Sequence, residues 1–219
     1  MPNVAITGGG SGLGRALALK YAQHGYRVFL MGRTVKKLHM VQEEILRQGG
    51  QAEVVLCDIK EASSVRIAFQ QIGELDVLIS NAGIGHFGPF EDYSNRDIDE
   101  TLDTNVKGSI LTVQAALPLI KASKGRILMI ISTAGLRGKV NESIYCASKF
   151  AVRGFTESLQ QEWKDKDYTI TAVYMGGMNT PFWDQSDHVK DPSRLKGPQK
   201  VAETIFQEDD GRAEIIIDR

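Results

Sequence analysis

A tyrosine and a lysine lie four residues apart in the segment Y-C-A-S-K, which runs from Tyr145 to Lys149. Because four residues make slightly more than one helical turn, the two side chains project from the same face of a helix. An ammonium close to a phenol favours the phenolate, so the spacing predicts a lowered pKa for Tyr145. A tyrosine with a lowered pKa can act as a general acid or base near neutral pH. The pair therefore indicates proton-transfer chemistry.

A glycine-rich segment, T-G-G-G-S-G-L-G, occupies residues 7–14 near the start of the chain. Glycines allow a tight turn and a close approach of the backbone to a pyrophosphate, and a helix N-terminus adds positive potential. A plain glycine-rich turn is the alternative, but the position after the first predicted strand favours a dinucleotide site. The residues predicted to bind the cofactor here are Thr7, Gly8, Gly10, Ser11, Gly12, Leu13 and Gly14.

The end of the second predicted strand distinguishes the two nicotinamide cofactors. An acidic residue there would bond the ribose 2′-hydroxyl and indicate NAD(H). This chain has Gly32 and then Arg33, with Lys36 and Lys37 close behind. An arginine can bind a 2′-phosphate through two hydrogen bonds, and Arg15 is a second candidate. We therefore expect NADP(H), with NAD(H) or a merely solvated Arg33 as the alternatives.

The third and fourth predicted strands end in further candidate cofactor contacts. Asp58 can accept a hydrogen bond from the adenine amino group, or it can serve a turn before the next helix, and Ile59 follows it. Asn81, Ala82 and Gly83 close the fourth strand. The asparagine amide can tie adjacent strand ends together, and the glycine lets the cofactor pass close by.

Two further polar residues are placed to join the tyrosine and the lysine. Ser132 ends the fifth predicted strand, and strand ends at the carboxyl edge of a parallel sheet face the ligand crevice. Its hydroxyl can bond a substrate carbonyl while Tyr145 donates a proton. Asn105 lies mid-way along a long predicted helix, where a polar amide needs hydrogen-bonding partners.

Short apolar strands alternate with longer amphipathic helices along the whole chain. Continuous apolar strands separated by helices imply a parallel sheet covered on both faces, and right-handed crossovers make it doubly wound. We predict one Rossmann-type α/β domain over residues 1–219, with about seven strands in the order 3-2-1-4-5-6-7 and a substrate lid at 176–197. Predicted strands cover 4–6, 27–31, 53–57, 77–79, 126–131, 169–174 and 214–217, and predicted helices cover 15–24, 37–48, 62–72, 95–122, 144–163 and 198–207.

Composition excludes several classes of function. The 219 residues are 42% hydrophobic and 24% charged, with a net charge of −1, which gives no sign of a nucleic-acid or membrane partner. Cys57 and Cys146 match neither a metal site nor a disulfide framework, which favours reduced thiols in a cytoplasmic protein. Because residues 3–7 are predicted to form a strand, we expect no signal peptide, and the apolar run at 127–131 is too short to span a bilayer.

The order and spacing of these motifs resemble those of the short-chain dehydrogenase/reductase family, in its compact, core-length branch. The resemblance runs from residue 3 to about residue 182, with the last strand also in place. Two further positions carry it after the sixth predicted strand, Gly176 and Thr180. The motifs that carry it are Thr7-Gly8, Gly12, Gly14, Asp58, Asn81-Ala82-Gly83, Asn105, Ser132, Tyr145, Lys149, Gly176 and Thr180.

The resemblance implies a catalytic tetrad. Tyr145 would be the general acid in reduction and the base in oxidation, while Lys149 would hold the nicotinamide ribose and lower the tyrosine pKa. Ser132 would orient the substrate oxygen, and Asn105 would anchor a water in a proton relay to Lys149. The family also links an arginine at the position of Arg33 with NADP(H).

The chain departs from the family pattern at two positions. Ser80 stands where the family usually has a first asparagine, and Met175 replaces the usual proline after the sixth strand. Gly176 and Thr180, which would contact the nicotinamide carboxamide, are retained. We therefore expect a looser loop near the nicotinamide and retained cofactor binding.

The expected function is an NADP(H)-dependent oxidoreductase that interconverts a ketone or aldehyde and an alcohol. A cofactor-sensing or scaffold protein on the same fold is the alternative, although such proteins typically lose the tyrosine or the lysine. An epimerase or dehydratase of the same superfamily is a third possibility, although such enzymes usually carry a larger C-terminal substrate domain. The resemblance also implies a homodimer or homotetramer and no metal. Candidate wall residues for an apolar substrate pocket are His86, Phe87, Phe90, Leu136, Arg137, Phe182 and Trp183.

Overall fold

A seven-stranded parallel sheet forms the centre of the computed structural model, which describes residues 1–184 and 186–217. Gln185, in the predicted lid, and residues 218 and 219, at the end of the predicted domain, lie outside the described residues. The strand order is β3-β2-β1-β4-β5-β6-β7, as predicted. The strands are β1 Asn3–Thr7, β2 Arg27–Gly32, β3 Gln51–Leu56, β4 Val77–Ser80, β5 Arg126–Ile130, β6 Thr169–Tyr174 and β7 Glu214–Ile216.

Helices cover both faces of this sheet, which confirms the predicted doubly wound arrangement. They alternate with the strands, so each strand is joined to the next one along the chain by a helical crossover. The helices are α1 Gly12–Gln23, α2 Val35–Arg47, α3 Ala62–Ile72, α4 Asn95–Leu102, α5 Gly108–Ser123, α6 Ser143–Glu162 and α7 Pro198–Gln207.

The apolar residues form two layers, one on each side of the sheet. Helices α1, α2 and α7 pack on one face, where Leu17 and Ile205 are fully buried. Helices α3, α5 and α6 pack on the other, where Ala116 is fully buried. In the middle of the sheet, Ile6 pairs with Leu30 on one side and with Ile79 on the other. Burial on both faces explains why these strands are continuously apolar.

The predicted helix over 95–122 is not continuous. Residues 103–107 form a π-helical turn between α4 and α5, and Asn105 lies in it with 1% of its surface exposed. A single π turn of this kind inserts one residue into a helix and occurs frequently at functional sites.

The strand order places a crevice beside β1. Strand β1 pairs with both β2 and β4. The chain first adds β2 and β3 on one side of β1, and then crosses back to add β4 to β7 on the other side. Ligands bind outside the carboxyl ends of the strands at such a reversal point. Thr7 ends β1, and Asn81 immediately follows β4, so both lie at this point.

A buried ion pair joins the segment after α7 to the rest of the molecule. Asp209 has only 2% of its side chain exposed. It accepts hydrogen bonds from Arg126 at 2.5 and 2.7 Å and from the Tyr21 hydroxyl at 2.5 Å. These three residues come from α1, β5 and the segment after α7. Breaking a buried pair leaves an uncompensated charge, which is more destabilising than losing a surface pair.

We predict that Asp209→Asn lowers the free energy of unfolding by about 2–4 kcal/mol, because Arg126 loses its counter-ion. Urea unfolding followed by circular dichroism measures the loss. Asp210→Asn is the matched control, since Asp210 is an exposed neighbour that pairs with Arg212 at the surface. An equal, small effect of the two substitutions would show that the buried pair contributes nothing.

Candidate active site

The glycine-rich turn between β1 and α1 forms a narrow cradle. Gly8 and Gly12 have φ angles of 67° and 52°, which other residues rarely adopt. A Cβ atom on Gly14 would lie 2.2 Å from the carbonyl oxygen of Gly8. Ser11 is the N-cap of α1, so the positive end of the helix points into the cradle. The turn thus fits a pyrophosphate, which needs close backbone approach and positive potential.

Side chains beneath the turn hold the ends of β1 and β4 together. The Thr7 hydroxyl accepts hydrogen bonds from the backbone N–H groups of Asn81 at 2.9 Å and Ala82 at 3.0 Å. The Asn81 amide donates to the carbonyl oxygen of Thr7 at 2.9 Å, so the predicted tie between strand ends is confirmed. Thr7 has 1% of its surface exposed, which makes it a support of the cradle.

A cavity of about 380 Å³ extends from this cradle to Tyr145. Thr7, Gly14 and Asn105, which were predicted to belong to the site, do not line it. They are buried among the elements that shape it. The predicted residues that line it are Gly8, Gly10, Ser11, Gly12, Leu13, Arg33, Asp58, Ile59, Asn81, Ala82, Gly83, Ser132, Tyr145, Lys149, Gly176 and Thr180.

One end of the cavity is basic. Arg33 has 60% of its side chain exposed and lies 3.9 Å from Asp58, and Lys37 and Lys60 line the same end. Asp58 also accepts a hydrogen bond from the Lys60 backbone N–H, so it serves a turn and faces the cavity at once. Arg15 does not line the cavity, because its guanidinium is held by Glu44. The expectation that Arg15 helps to bind a phosphate stays a prediction, which this ion pair does not support.

Ser132, Tyr145 and Lys149 meet at the other end, and each has less than a tenth of its surface exposed. The Lys149 ammonium lies 5.7 Å from the centre of the Tyr145 ring and donates to the carbonyl oxygen of Ile130 at 3.1 Å. Ser132 has a φ of 105°, a strained conformation for a residue with a side chain. Its hydroxyl accepts from the backbone N–H of Ala134.

Burial controls the protonation of this group. It raises the pKa of the Tyr145 phenol, and only the hydrogen bond with Ser132 acts in the opposite direction. It also lowers the pKa of Lys149 to about 8. The predicted lowering of the tyrosine pKa is therefore wrong for this structure, because desolvation outweighs the hydrogen bond with Ser132. Tyr145 is a neutral phenol at pH 7, the form that can donate a proton.

Asn105 acts as a clamp beneath the cavity. Its side-chain oxygen accepts from the backbone N–H of Ile84 at 2.9 Å, and its amide donates to the Ile84 carbonyl oxygen at 2.9 Å. The amide also donates to the Ser148 hydroxyl at 3.0 Å, which in turn donates to the carbonyl oxygen of Tyr145. The sequence analysis did not predict a role for Ser148. Its position between Tyr145 and Lys149 on the same helix was the available signal.

Only part of the predicted apolar wall surrounds Tyr145. Phe87 and Phe182 have ring centres 5.5 and 5.8 Å from that of Tyr145, and Trp183 lines the cavity. Phe90 is 69% exposed. Of the other three predicted wall residues, Leu136 packs into the core, Arg137 is exposed, and His86 lines a second cavity of about 730 Å³.

Two charged residues near Tyr145 were not predicted. Glu142 is 7% exposed and lines the cavity one turn before Tyr145, together with Lys139. Its Oε1 atom lies 3.0 Å from Nε2 of His188, which comes from the predicted lid. The sequence carried no signal for this contact, since Glu142 and His188 are separated by 46 positions. Within the described ranges, no group of three metal-binding side chains occurs.

Comparison with known proteins identifies the family. The family model described as short chain dehydrogenase matches residues 2–191. The chain belongs to the short-chain dehydrogenase family. It is 32% identical over 214 residues to a sepiapterin reductase of Chlorobaculum tepidum, which covers 92% of this chain and 87% of that protein. As a member of this family, the protein is an oxidoreductase that acts on CH–OH and C=O groups.

Solved structures of family members have the same fold. An alcohol dehydrogenase from the archaeon Thermococcus sibiricus, complexed with 5-hydroxy-NADP, superposes with a TM-score of 0.90 and 26% identity, covering 99% of this chain and 96% of that one. A metagenomic short-chain oxidoreductase in complex with NADP superposes with a TM-score of 0.85 and 27% identity, covering 99% and 96%. No helix in the described part of the chain is long and apolar enough to cross a bilayer.

We predict that Lys149→Met makes the protein more stable at pH 7 by about 2 kcal/mol. Burying the ammonium costs about 3 kcal/mol, and the lost bond to Ile130 removes about 1 kcal/mol of that gain. The penalty is complete below pH 8, the pKa of Lys149 in the folded chain, and disappears towards pH 10.5, its ordinary value. The difference from the wild type should therefore shrink between these two pH values.

Urea unfolding at pH 7 and at pH 10 measures that difference. Lys164→Met provides the control, because Lys164 is exposed just after the end of α6. A stability difference for Lys149→Met that stays constant over this pH range would contradict the assignment of a buried charge.

Proposed function

We propose that this protein is an NADP(H)-dependent oxidoreductase that interconverts a ketone or aldehyde and an alcohol, with Tyr145 as general acid and base. The observation that carries the proposal is a single cavity, which the glycine-rich turn and Arg33 line at one end and Ser132, Tyr145 and Lys149 line at the other. A dinucleotide needs the first set of groups, and proton transfer to a carbonyl oxygen needs the second.

The residues present fit a dinucleotide along the whole cavity. The cradle would hold the pyrophosphate, and the lysine would hold the nicotinamide ribose. Thr7 and Gly14 support this arrangement from below. When bound, the nicotinamide supplies a hydride to the carbonyl carbon or accepts one from the alcohol. The residues proposed to contact the cofactor are Gly8, Gly10, Ser11, Gly12, Leu13, Arg33, Asp58, Ile59, Asn81, Ala82, Gly83, Tyr145, Lys149, Gly176 and Thr180.

Tyr145 handles the proton in this proposal. In reduction, its neutral hydroxyl donates a proton to the carbonyl oxygen as that oxygen gains negative charge, and the Ser132 hydroxyl orients the same oxygen. The Lys149 ammonium, 5.7 Å from the ring centre, stabilises the tyrosinate left behind. In oxidation, the tyrosinate takes the proton from the alcohol. Asn105 keeps α6 and the segment after β4 in register through Ser148 and Ile84.

Relatives favour this proposal over the alternative of a sensor or scaffold. The Chlorobaculum tepidum relative is named a reductase, and two solved neighbours are complexes with NADP or a hydroxylated NADP. Proteins that use the fold without catalysis typically lose the tyrosine or the lysine, whereas this chain keeps Asn105, Ser132, Tyr145 and Lys149.

A homodimer or homotetramer remains a prediction, as does a cytoplasmic location. Three long apolar side chains, Leu102, Ile110 and Phe150, are more than a third exposed on α4, α5 and α6. These are the helices expected to pair across a two-fold axis, and apolar side chains on such a face favour association.

We predict that Tyr145→Phe lowers kcat for carbonyl reduction by about 10²- to 10⁴-fold, the usual contribution of a general acid. NADPH should still bind to this variant, which fluorescence titration measures. Tyr168→Phe serves as the control, because Tyr168 packs on Trp163 in the core. Turnover retained by Tyr145→Phe would exclude this tyrosine as the proton donor.

We predict that the wild type binds NADPH more tightly than NADH and that Arg33→Ala removes the preference. Losing a charge-assisted bond to the 2′-phosphate should weaken NADPH binding about 10- to 100-fold and leave NADH binding unchanged. Separate titrations of the two cofactors measure this. Arg15→Ala is the control, because Arg15 is held by Glu44 outside the cavity. A wild type that prefers NADH would overturn the role given to Arg33.

A further inference from the structure

A hydrogen bond joins the segment after β6 to the start of α6. We name residues 176–197 the lid segment, of which 176–184 and 186–197 are described. His188 of this segment places Nε2 3.0 Å from Oε1 of Glu142. Because a carboxylate only accepts, the imidazole donates. Both side chains are largely buried, at 21% and 9% exposure, so water does not replace this bond without exposing the pair.

Glu142 is fixed from below. It is the N-cap residue of α6, and its carbonyl oxygen accepts from the backbone N–H of Cys146 at 2.7 Å. Its other carboxylate oxygen lies 3.9 Å from the Lys139 ammonium. The preceding residue, Asn141, accepts hydrogen bonds from Gly88 and Tyr93. A buried carboxylate needs such partners, and His188 supplies the one from the lid segment.

The imidazole also belongs to a group of rings beside Tyr145. We call this group the aromatic wall, and it comprises Phe87, Phe182, Trp183 and His188. It stacks on Phe87, with ring centres 4.9 Å apart and planes at 15°, and lies 6.1 Å from Trp183. Phe87 in turn contacts Trp183 at 5.2 Å and Tyr145 at 5.5 Å. His188 therefore makes both the hydrogen bond to Glu142 and the contacts with the neighbouring rings. Displacing His188 would loosen the ring contacts beside the phenol.

We propose that Glu142 and His188 are positioning residues whose hydrogen bond holds the lid segment against α6 and so keeps the aromatic wall in contact with Tyr145. The inference rests on the proposed function, in which the substrate carbonyl lies beside that phenol. The wall would contact the substrate equally in the ground state and in the transition state. Its loss should therefore raise the substrate KM and leave kcat nearly unchanged.

Two substitutions of His188 separate the hydrogen bond from the ring. His188→Gln keeps an N–H donor near the position of Nε2 but removes the ring. His188→Phe keeps a ring that can stack on Phe87 but removes the donor. If the hydrogen bond holds the lid segment, the phenylalanine variant is loosened and the glutamine variant is not. Lys190→Gln is the matched control, because Lys190 is an exposed residue of the same segment.

The first measurement needs no turnover. The chain has two tryptophans, so Trp163→Phe leaves Trp183, which is 9% exposed, as the only indole reporter on the lid segment. In that background, acrylamide quenching of Trp183 should rise about twofold or more in His188→Phe, because the segment opens more often. It should stay near the parent value in His188→Gln and Lys190→Gln. Glu142→Leu should match His188→Phe, and the double variant should add little.

The second measurement is steady-state kinetics with NADPH and a carbonyl compound that the wild type reduces. His188→Phe should raise the KM for that compound about tenfold, as expected for a lost bond to a charged group, with kcat within about threefold. His188→Gln should restore the wild-type KM. A general defect in folding would instead lower kcat in both His188→Phe and His188→Gln. In that case His188→Gln would not restore the wild-type KM.

The outcomes distinguish the possible failures. Equal quenching in His188→Phe and the parent would overturn the positioning role, and so would equal loosening by His188→Phe and His188→Gln, since the ring would then carry the contact. A rise in quenching without any carbonyl turnover by the wild type would leave the contact standing and overturn the proposed function. Turnover with an unchanged KM in His188→Phe would show that the wall does not bind the substrate.

Discussion

The hydrogen bonds between Thr7 and the backbone of Asn81 and Ala82 hold β1 and β4 together where the strand order reverses. Everything else at the site depends on this junction. The glycine-rich turn leaves β1 on one side of it, and the segment that Asn105 clamps leaves β4 on the other. With two strand ends locked, the turn, the basic end and the tyrosine converge on one cavity. A Rossmann-type sheet offers this crevice by topology, and these hydrogen bonds join the two strand ends that border it.

The site is assembled from groups that folding alone does not favour. The Lys149 ammonium is buried, which lowers its pKa to about 8. Ser132 has a backbone conformation that is strained for any side chain, and Asn105 lies in a π turn. Each is tolerated because the surrounding layers are well packed and supply specific partners. Such concentrations of buried charge and strain are expected where function, and not stability, determines the residues.

Burial also explains the protonation of the tyrosine. Burial of these two side chains disfavours their charged forms, so the phenol stays neutral and the lysine loses its proton more easily. A neutral phenol beside a buried ammonium suits the donation of a proton to an oxygen that is gaining charge. On the side of the lid segment, Glu142, Phe182 and Trp183 line the same cavity, and His188 bonds Glu142. Helix α6 carries Tyr145, Lys149 and, at its N-cap, Glu142, so the proposed proton donor and the contact with the lid segment lie on one element.

The sequence by itself determined the strand order, the helical layers and most of the candidate residues that line the cavity, because apolar runs, glycine spacing and polar strand ends are visible in it. Apolar runs encode buried parallel strands, and glycine spacing encodes the turn. Only the tertiary structure decided what depends on distant partners. It paired Arg15 with Glu44, made Thr7 and Asn105 supports, placed the π turn within the helix predicted at 95–122, and brought His188 to Glu142. It also set the direction of the Tyr145 pKa, since desolvation is a property of the packed environment and of no sequence spacing.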